Sequence, residues 1–158
     1  MEELRYLVLA IQREGNRVLA AALKPVGVTP SQGEVLRLLD AEGGLTLSAL
    51  GELLVCETGS NPSRLVDRLV SQGLIERLPD PDDRRYVRLE LTPDGRQVAS
   101  EVAHAEQHLY DELRRLVGGR PLTPALRLLR DLADGLPAGT VLARRRELAR
   151  ATSETVTP

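Results

Sequence analysis

The chain has 158 residues, of which 42% are hydrophobic and 28% charged, and its 21 basic and 23 acidic side chains leave a formal net charge of −2. This length suits one domain with a core, or a small module with a dimerisation extension, and excludes two full domains, while the apolar content excludes wholesale disorder. No apolar run approaches the ~18 residues of a membrane span, MEELRYLVLA is no signal peptide, and the single cysteine, Cys56, excludes an internal disulfide, so a cytoplasmic protein without membrane contact is expected.

Residues 3–23 place Leu4, Leu7, Val8, Ile11, Val18, Leu19 and Ala22 at helical spacing, with Pro25 just beyond. Thr29, Pro30 and Gln32 then supply an N-cap, a first-turn proline and the glutamine of a capping box, which predicts a helix to about Asp40, ended by Gly43 and Gly44. Thr46 can cap a third, short helix through Leu47, Leu50, Leu53 and Leu54. Ser60 is read as the cap of a fourth helix that runs to Gln72, with Pro62 in its first turn, Leu65, Val66, Leu69 and Val70 on its core face, and Gly73 as its stop.

From Leu74 the period changes from helical to alternating. Residues 74–78 and 86–91 read as two strands of a hairpin with a charged tip, Pro79 to Arg85. Thr92 and Pro93 open a long helix whose stripe is Val98, Val102, Ala105, Leu109, Leu113 and Leu116, ended by Gly118 and Gly119. A further helix is expected from about Thr123 to Asp134, and a weaker one from Val141 to Ala151 before a polar tail. The stripes on the long helices need a partner, and a second copy of the chain supplies one.

Two short helices joined by a tight turn and followed by a hairpin make a winged helix-turn-helix, so the fold class expected is mainly α with a small β-hairpin wing and long N- and C-terminal dimerisation helices. The second helix of such a motif offers its first residues to base edges in the major groove, here Ser60, Asn61, Ser63 and Arg64. Asn and Arg can make two-pronged contacts to adenine and guanine, and Arg68, one turn on, can reach the backbone. The tip carries Arg84 and Arg85, suited to a narrow minor groove, with Asp83 expected to orient an arginine or to tie down the turn.

The stretches Arg64-Leu65-Val66-Asp67-Arg68-Leu69-Val70, Gly73-Leu74-Ile75-Glu76-Arg77, Asp83-Arg84-Arg85 and Leu91-Thr92-Pro93-Asp94-Gly95 resemble the MarR family of bacterial regulators. The resemblance covers residues 29–95 closely and the flanking helices in length and order alone. It implies a homodimer joined through the first and last helices, two winged lobes on a pseudo-palindrome of double-stranded DNA, and a small-molecule effector that relieves repression. Asp83 and Arg85 match the family's wing motif, which makes Arg85 the minor-groove residue and Arg84 a phosphate contact; Pro62 departs from the aliphatic residue more usual there. The chain is thus divided into an N-terminal dimerisation helix (1–28), the winged helix-turn-helix (29–92), C-terminal dimerisation helices (93–136) and a short helix with a polar tail (137–158).

Other features carry less. His104 and His108, with Glu101 and Glu112, have the spacing of a metal site but lie at the flank of the apolar stripe, where a solvated or interface-edge face is the simpler reading. Cys56 follows Leu53, Leu54 and Val55, which suits a small buried residue better than a redox sensor. Arg144, Arg145 and Arg146 read as a solvated helix face, with a DNA or dimer contact as the alternative. No nucleophile elbow, phosphate loop or catalytic pair stands out, so neither an enzyme nor a cofactor is expected. The remaining alternatives are a winged-helix module whose arginines meet an acidic protein, or a metal- or redox-sensing regulator of the same fold.

Overall fold

The computed structural model describes residues 1–55, 61–81, 83 and 85–155, with side chains through residue 148. In chain order the elements are α1 (Glu2–Leu23), a 3-10 turn (Lys24–Val26), α2 (Pro30–Glu42), β1 (Leu45–Thr46), α3 (Leu47–Gly51), α4 (Pro62–Ser71), β2 (Ile75–Pro79), β3 (Val87–Leu91), α5 (Pro93–Val117), α6 (Thr123–Asp134) and α7 (Pro137–Thr155). No helix among the described residues is long and apolar enough to cross a membrane.

The helix starts follow local chemistry. At α2 the Thr29 hydroxyl accepts the Gln32 N–H at 3.3 Å while the Gln32 side chain accepts the Thr29 N–H at 2.9 Å, so the capping box closes. Thr46 caps α3 by accepting the Ala49 N–H at 3.2 Å. Thr92 does more: its hydroxyl accepts the Gly95 N–H at 3.0 Å and donates to the Gly73 carbonyl at 2.7 Å, pinning the start of α5 to the turn after α4. Gly95 is required there, because a Cβ would stand 1.9 Å from the Leu74 carbonyl oxygen.

The sheet is antiparallel in the order β1-β3-β2, with Leu45 opposite Leu89 and Ile75 opposite Leu91. The hairpin is therefore joined by a third strand that the sequence reading lacked; a two-residue strand has no period to detect. Leu23, Val35, Leu36, Leu50, Val66, Leu69, Ile75, Leu89 and Val102 meet in one core, so α1, α2 and α5 wrap the small sheet and α4.

Two further elements depart from expectation. Helix α4 is capped by Asn61 and not Ser60, because Pro62 at the first helical position forces the residue before it out of the helical region; Asn61 sits at φ −56, ψ 129. Helix α7 begins four residues earlier than read, at Pro137, and extends to Thr155, since proline suits a first turn and can start a helix without an apolar stripe to announce it.

Apolar surface is concentrated on the long helices. Tyr6, Leu7 and Ile11 of α1, Leu116 of α5, and Leu128 and Leu132 of α6 are exposed, and α6 buries none of its residues. Between α1 and α5 lies an open groove of about 580 Å³ lined by Ile11, Val18, Leu109, Leu113 and Leu116, with Glu14, His108 and Glu112 among its polar residues.

Candidate nucleic-acid interface

Helix α4 is sharply two-faced. Leu65, Val66 and Leu69 are buried in the core, whereas Asn61, Arg64, Asp67 and Arg68 are exposed on the opposite side. Arg64 and Arg68, four apart, project one above the other from this face. Neither has a carboxylate partner among the described residues. Asp67, between them in sequence, is held by Arg77 of β2 at 2.6 Å, which keeps its charge away from the two arginines. That pair was missed in the sequence reading, since nothing local marks a contact from a helix to the strand beyond it.

Ser63 and Asn61 serve the helix start: the Asn61 side-chain oxygen accepts the Ser63 N–H at 3.0 Å. With its oxygen turned inward, Asn61 offers outward chiefly its amide NH₂, a donor, which narrows the two-pronged adenine contact expected of it. Ser60, Cys56 and Arg84 lie outside the described residues.

The wing is ordered by its acids. Asp80 accepts the Asp83 N–H at 3.2 Å, and the Tyr86 N–H donates to the Asp83 carbonyl at 2.9 Å, closing the turn. The Asp83 carboxylate accepts Nε of Arg85 at 2.9 Å and Nη2 at 2.6 Å, and also the Arg85 backbone N–H at 3.1 Å. These bonds hold the Asp83 carboxyl below its ordinary range and the Arg85 guanidinium above its own. The fork uses one edge of the guanidinium, so the Nη1 edge of exposed Arg85 remains free to donate outward.

Exposed His104 and His108 stay on α5, His108 at the rim of the α1–α5 groove, and among the described residues no group of three or more ligating side chains could hold a metal ion. Arg144, Arg145 and Arg146 of α7 are more than a solvated face, because each is ion-paired: Arg144, itself exposed, with Glu52, Arg145 with Glu34 and Arg146 with Asp134. Contacts to α2 and α3, distant in sequence, leave no mark in the local pattern from which they could be read.

A three-stranded wing behind a helix-turn-helix with a cationic outer face defines the winged-helix class of DNA-binding regulators. A family model described as the MarR family matches residues 28–87. Over 110 residues the chain is 34% identical to the multiple antibiotic resistance protein MarR of Salmonella typhimurium, covering 69% of this chain and 76% of that protein. It is 33% identical over 108 residues to YsmB, an uncharacterized HTH-type transcriptional regulator of Bacillus subtilis, covering 67% and 69% of the two chains. A solved structure of a mutant MarR from E. coli complexed with operator DNA superposes with a TM-score of 0.72 at 29% identity, covering 82% of this chain and 93% of that one. The chain belongs to the MarR family and is a transcriptional regulator of that family.

Proposed function

We propose that the protein is a homodimeric, ligand-responsive repressor that binds a pseudo-palindromic operator in double-stranded DNA, with α4 in the major groove and the wing along the minor groove. The observation that carries this reading is the outer face of α4, where Arg64 and Arg68 stand exposed opposite a buried apolar face. Arg64, in the first turns, reads a base edge, Arg68 a phosphate, and Ser60, Asn61 and Ser63 are the further DNA contacts. Arg85, steadied by Asp83, enters the minor groove, and Arg84 meets a phosphate. The relative whose structure was solved with operator DNA supports this arrangement.

The homodimer reading is supported by the exposed apolar residues of α1, α5 and α6, which a second copy would cover. A two-fold dimer presents two α4 helices and so demands a two-fold operator. An effector acts by changing the spacing of the lobes, which the long helices set. Regulation by DNA binding requires no enzymatic step and no cofactor, and a regulator of this kind works in the cytoplasm.

The test is selection of duplexes from a random pool by the purified protein, followed by a salt titration on the winner. Two related half-sites about 10 base pairs apart, or a multiple of that, are expected, with affinity falling steeply as salt rises. Failure to enrich any sequence, with salt-insensitive capture of an acidic protein instead, would refute the reading.

A further inference from the structure

The described carboxylates that meet the arginines of α7 differ in one respect. Glu52 and Asp134 are exposed, whereas the Glu34 side chain is only 8% exposed. Arg145 Nη1 stands 2.7 Å from Glu34 Oε1, and that same oxygen accepts the backbone N–H of Val55 at 2.9 Å. Val55 is where the chain leaves α3 on its way to Asn61, the cap of α4. A single carboxylate oxygen on α2 therefore joins the C-terminal helix to the turn of the helix-turn-helix. Leu148, three residues beyond Arg145 and on the same side of α7, packs against the core and keeps the helix seated there.

We propose that Arg145 is a positioning residue for DNA recognition: it stabilises the charge on buried Glu34, which in turn holds the backbone at Val55 and so sets how α4 is presented. This rests on the reading of α4 as the DNA-contacting helix. A carboxylate withdrawn from water is held best where a cation and hydrogen-bond donors meet it together. When α7 no longer brings that cation, the Glu34 carboxylate is held less firmly, and its hydrogen bond to Val55 weakens. The backbone at Val55 is then less restrained, and the apparent affinity for DNA falls by the fraction of molecules that remains competent. Any event that lifts α7 from α2 and α3 weakens DNA binding by the same route, so the C-terminal helix is coupled to the DNA-reading helix through a buried charge.

A glutamine at position 34 separates this from mere packing. It keeps an oxygen for the Val55 N–H but needs no cation, so Arg145 matters only while residue 34 is charged. Competition binding to the selected duplex is measured with the full chain as wild type, Arg145→Ala, Glu34→Gln and the double variant, with amide exchange at Val55 followed in each. Arg145→Ala is expected to weaken binding by about tenfold or more in the wild-type background, and by less than about threefold in the Glu34→Gln background. The Val55 amide should exchange faster in Arg145→Ala and not in the double variant relative to Glu34→Gln.

Equal losses in the two backgrounds, or no loss in either, would overturn the proposal. If Arg145→Ala does not fold, the double variant must fold and bind as Glu34→Gln does, and its failure to do so overturns the proposal equally. Wild type that binds no selected duplex sinks the DNA reading and this inference with it, whereas wild type that binds while Arg145→Ala is unchanged sinks this inference alone.

Discussion

Gly95→Ala is the sharpest test of how the wing is joined to the long helices. The added Cβ would lie 1.9 Å from the Leu74 carbonyl oxygen and 2.9 Å from its carbon, both backbone atoms, where ordinary contact begins at 3.4 Å. That carbonyl accepts the Thr92 N–H at 3.1 Å, and the Thr92 hydroxyl holds the neighbouring Gly73 carbonyl, so it cannot retreat without straining both bonds. Overpacking of this kind costs about 1–3 kcal/mol. Straining a hydrogen bond adds about 1 kcal/mol, which the better helix propensity of alanine roughly cancels. The net loss of about 1–3 kcal/mol corresponds to a fall in Tm of roughly 2–12 °C for a chain of this size. The assay is a thermal melt at fixed protein concentration, because association shifts the midpoint. Gly51→Ala is the control, since its Cβ would meet Pro62 Cγ at an ordinary 3.6 Å and should cause no fall. A Gly95→Ala protein that melts at or above the wild-type temperature would refute the close approach of α5 to Leu74.

Three other outcomes are expected. Arg64→Ala should cost about 1–3 kcal/mol on the selected duplex and relax preference at one position per half-site, whereas Arg68→Ala should weaken all duplexes alike and reduce the salt slope by about one unit for each phosphate left without its arginine; competition assays at several salt concentrations distinguish them. Because Asp83 has its carboxyl lowered by Arg85, what their pairing contributes is fully present above the ordinary aspartate value of about 3.9 and is lost only as pH falls through the lowered one. An NMR titration should therefore give Asp83 a midpoint below the ordinary value, moving upward in Arg85→Ala, and an unmoved midpoint would break the assignment. Ile11→Glu combined with Leu116→Glu, which charges exposed apolar positions of α1 and α5, should convert a dimer to monomer in sedimentation at micromolar concentration, and an unchanged dimer would place the interface elsewhere.

What could be read from sequence was what local rules decide. The Thr29–Gln32 box, the Thr46 and Thr92 caps, the α4 core face and the alternation of the hairpin each depend on residues within a few positions of one another. The cap at Asn61 was also local, but required giving the constraint before Pro62 more weight than the general preference for serine. The short strand β1, the Asp67–Arg77 pair and the Glu34–Arg145 pair were illegible for a different reason: each joins segments whose meeting is decided by the tertiary fold, and no period or spacing records it.

Those long-range pairs also resolve what the composition leaves puzzling, a DNA-binding regulator with a net charge of −2. Net charge sets the average field of the molecule, but a helix in a groove meets only the charges on the face it presents. On α4 the one acid of that face is held by Arg77, and on the wing the Asp83 carboxylate is bound to Arg85 along one edge of its guanidinium. Glu34 and Glu52 are matched by α7, away from the α4 surface. The acids thus lower the total without cancelling Arg64 and Arg68, whose charge stays directed outward. For Arg85 the pairing has a second role under the proposed function, because a guanidinium fixed by a carboxylate has fewer conformations to lose on meeting DNA.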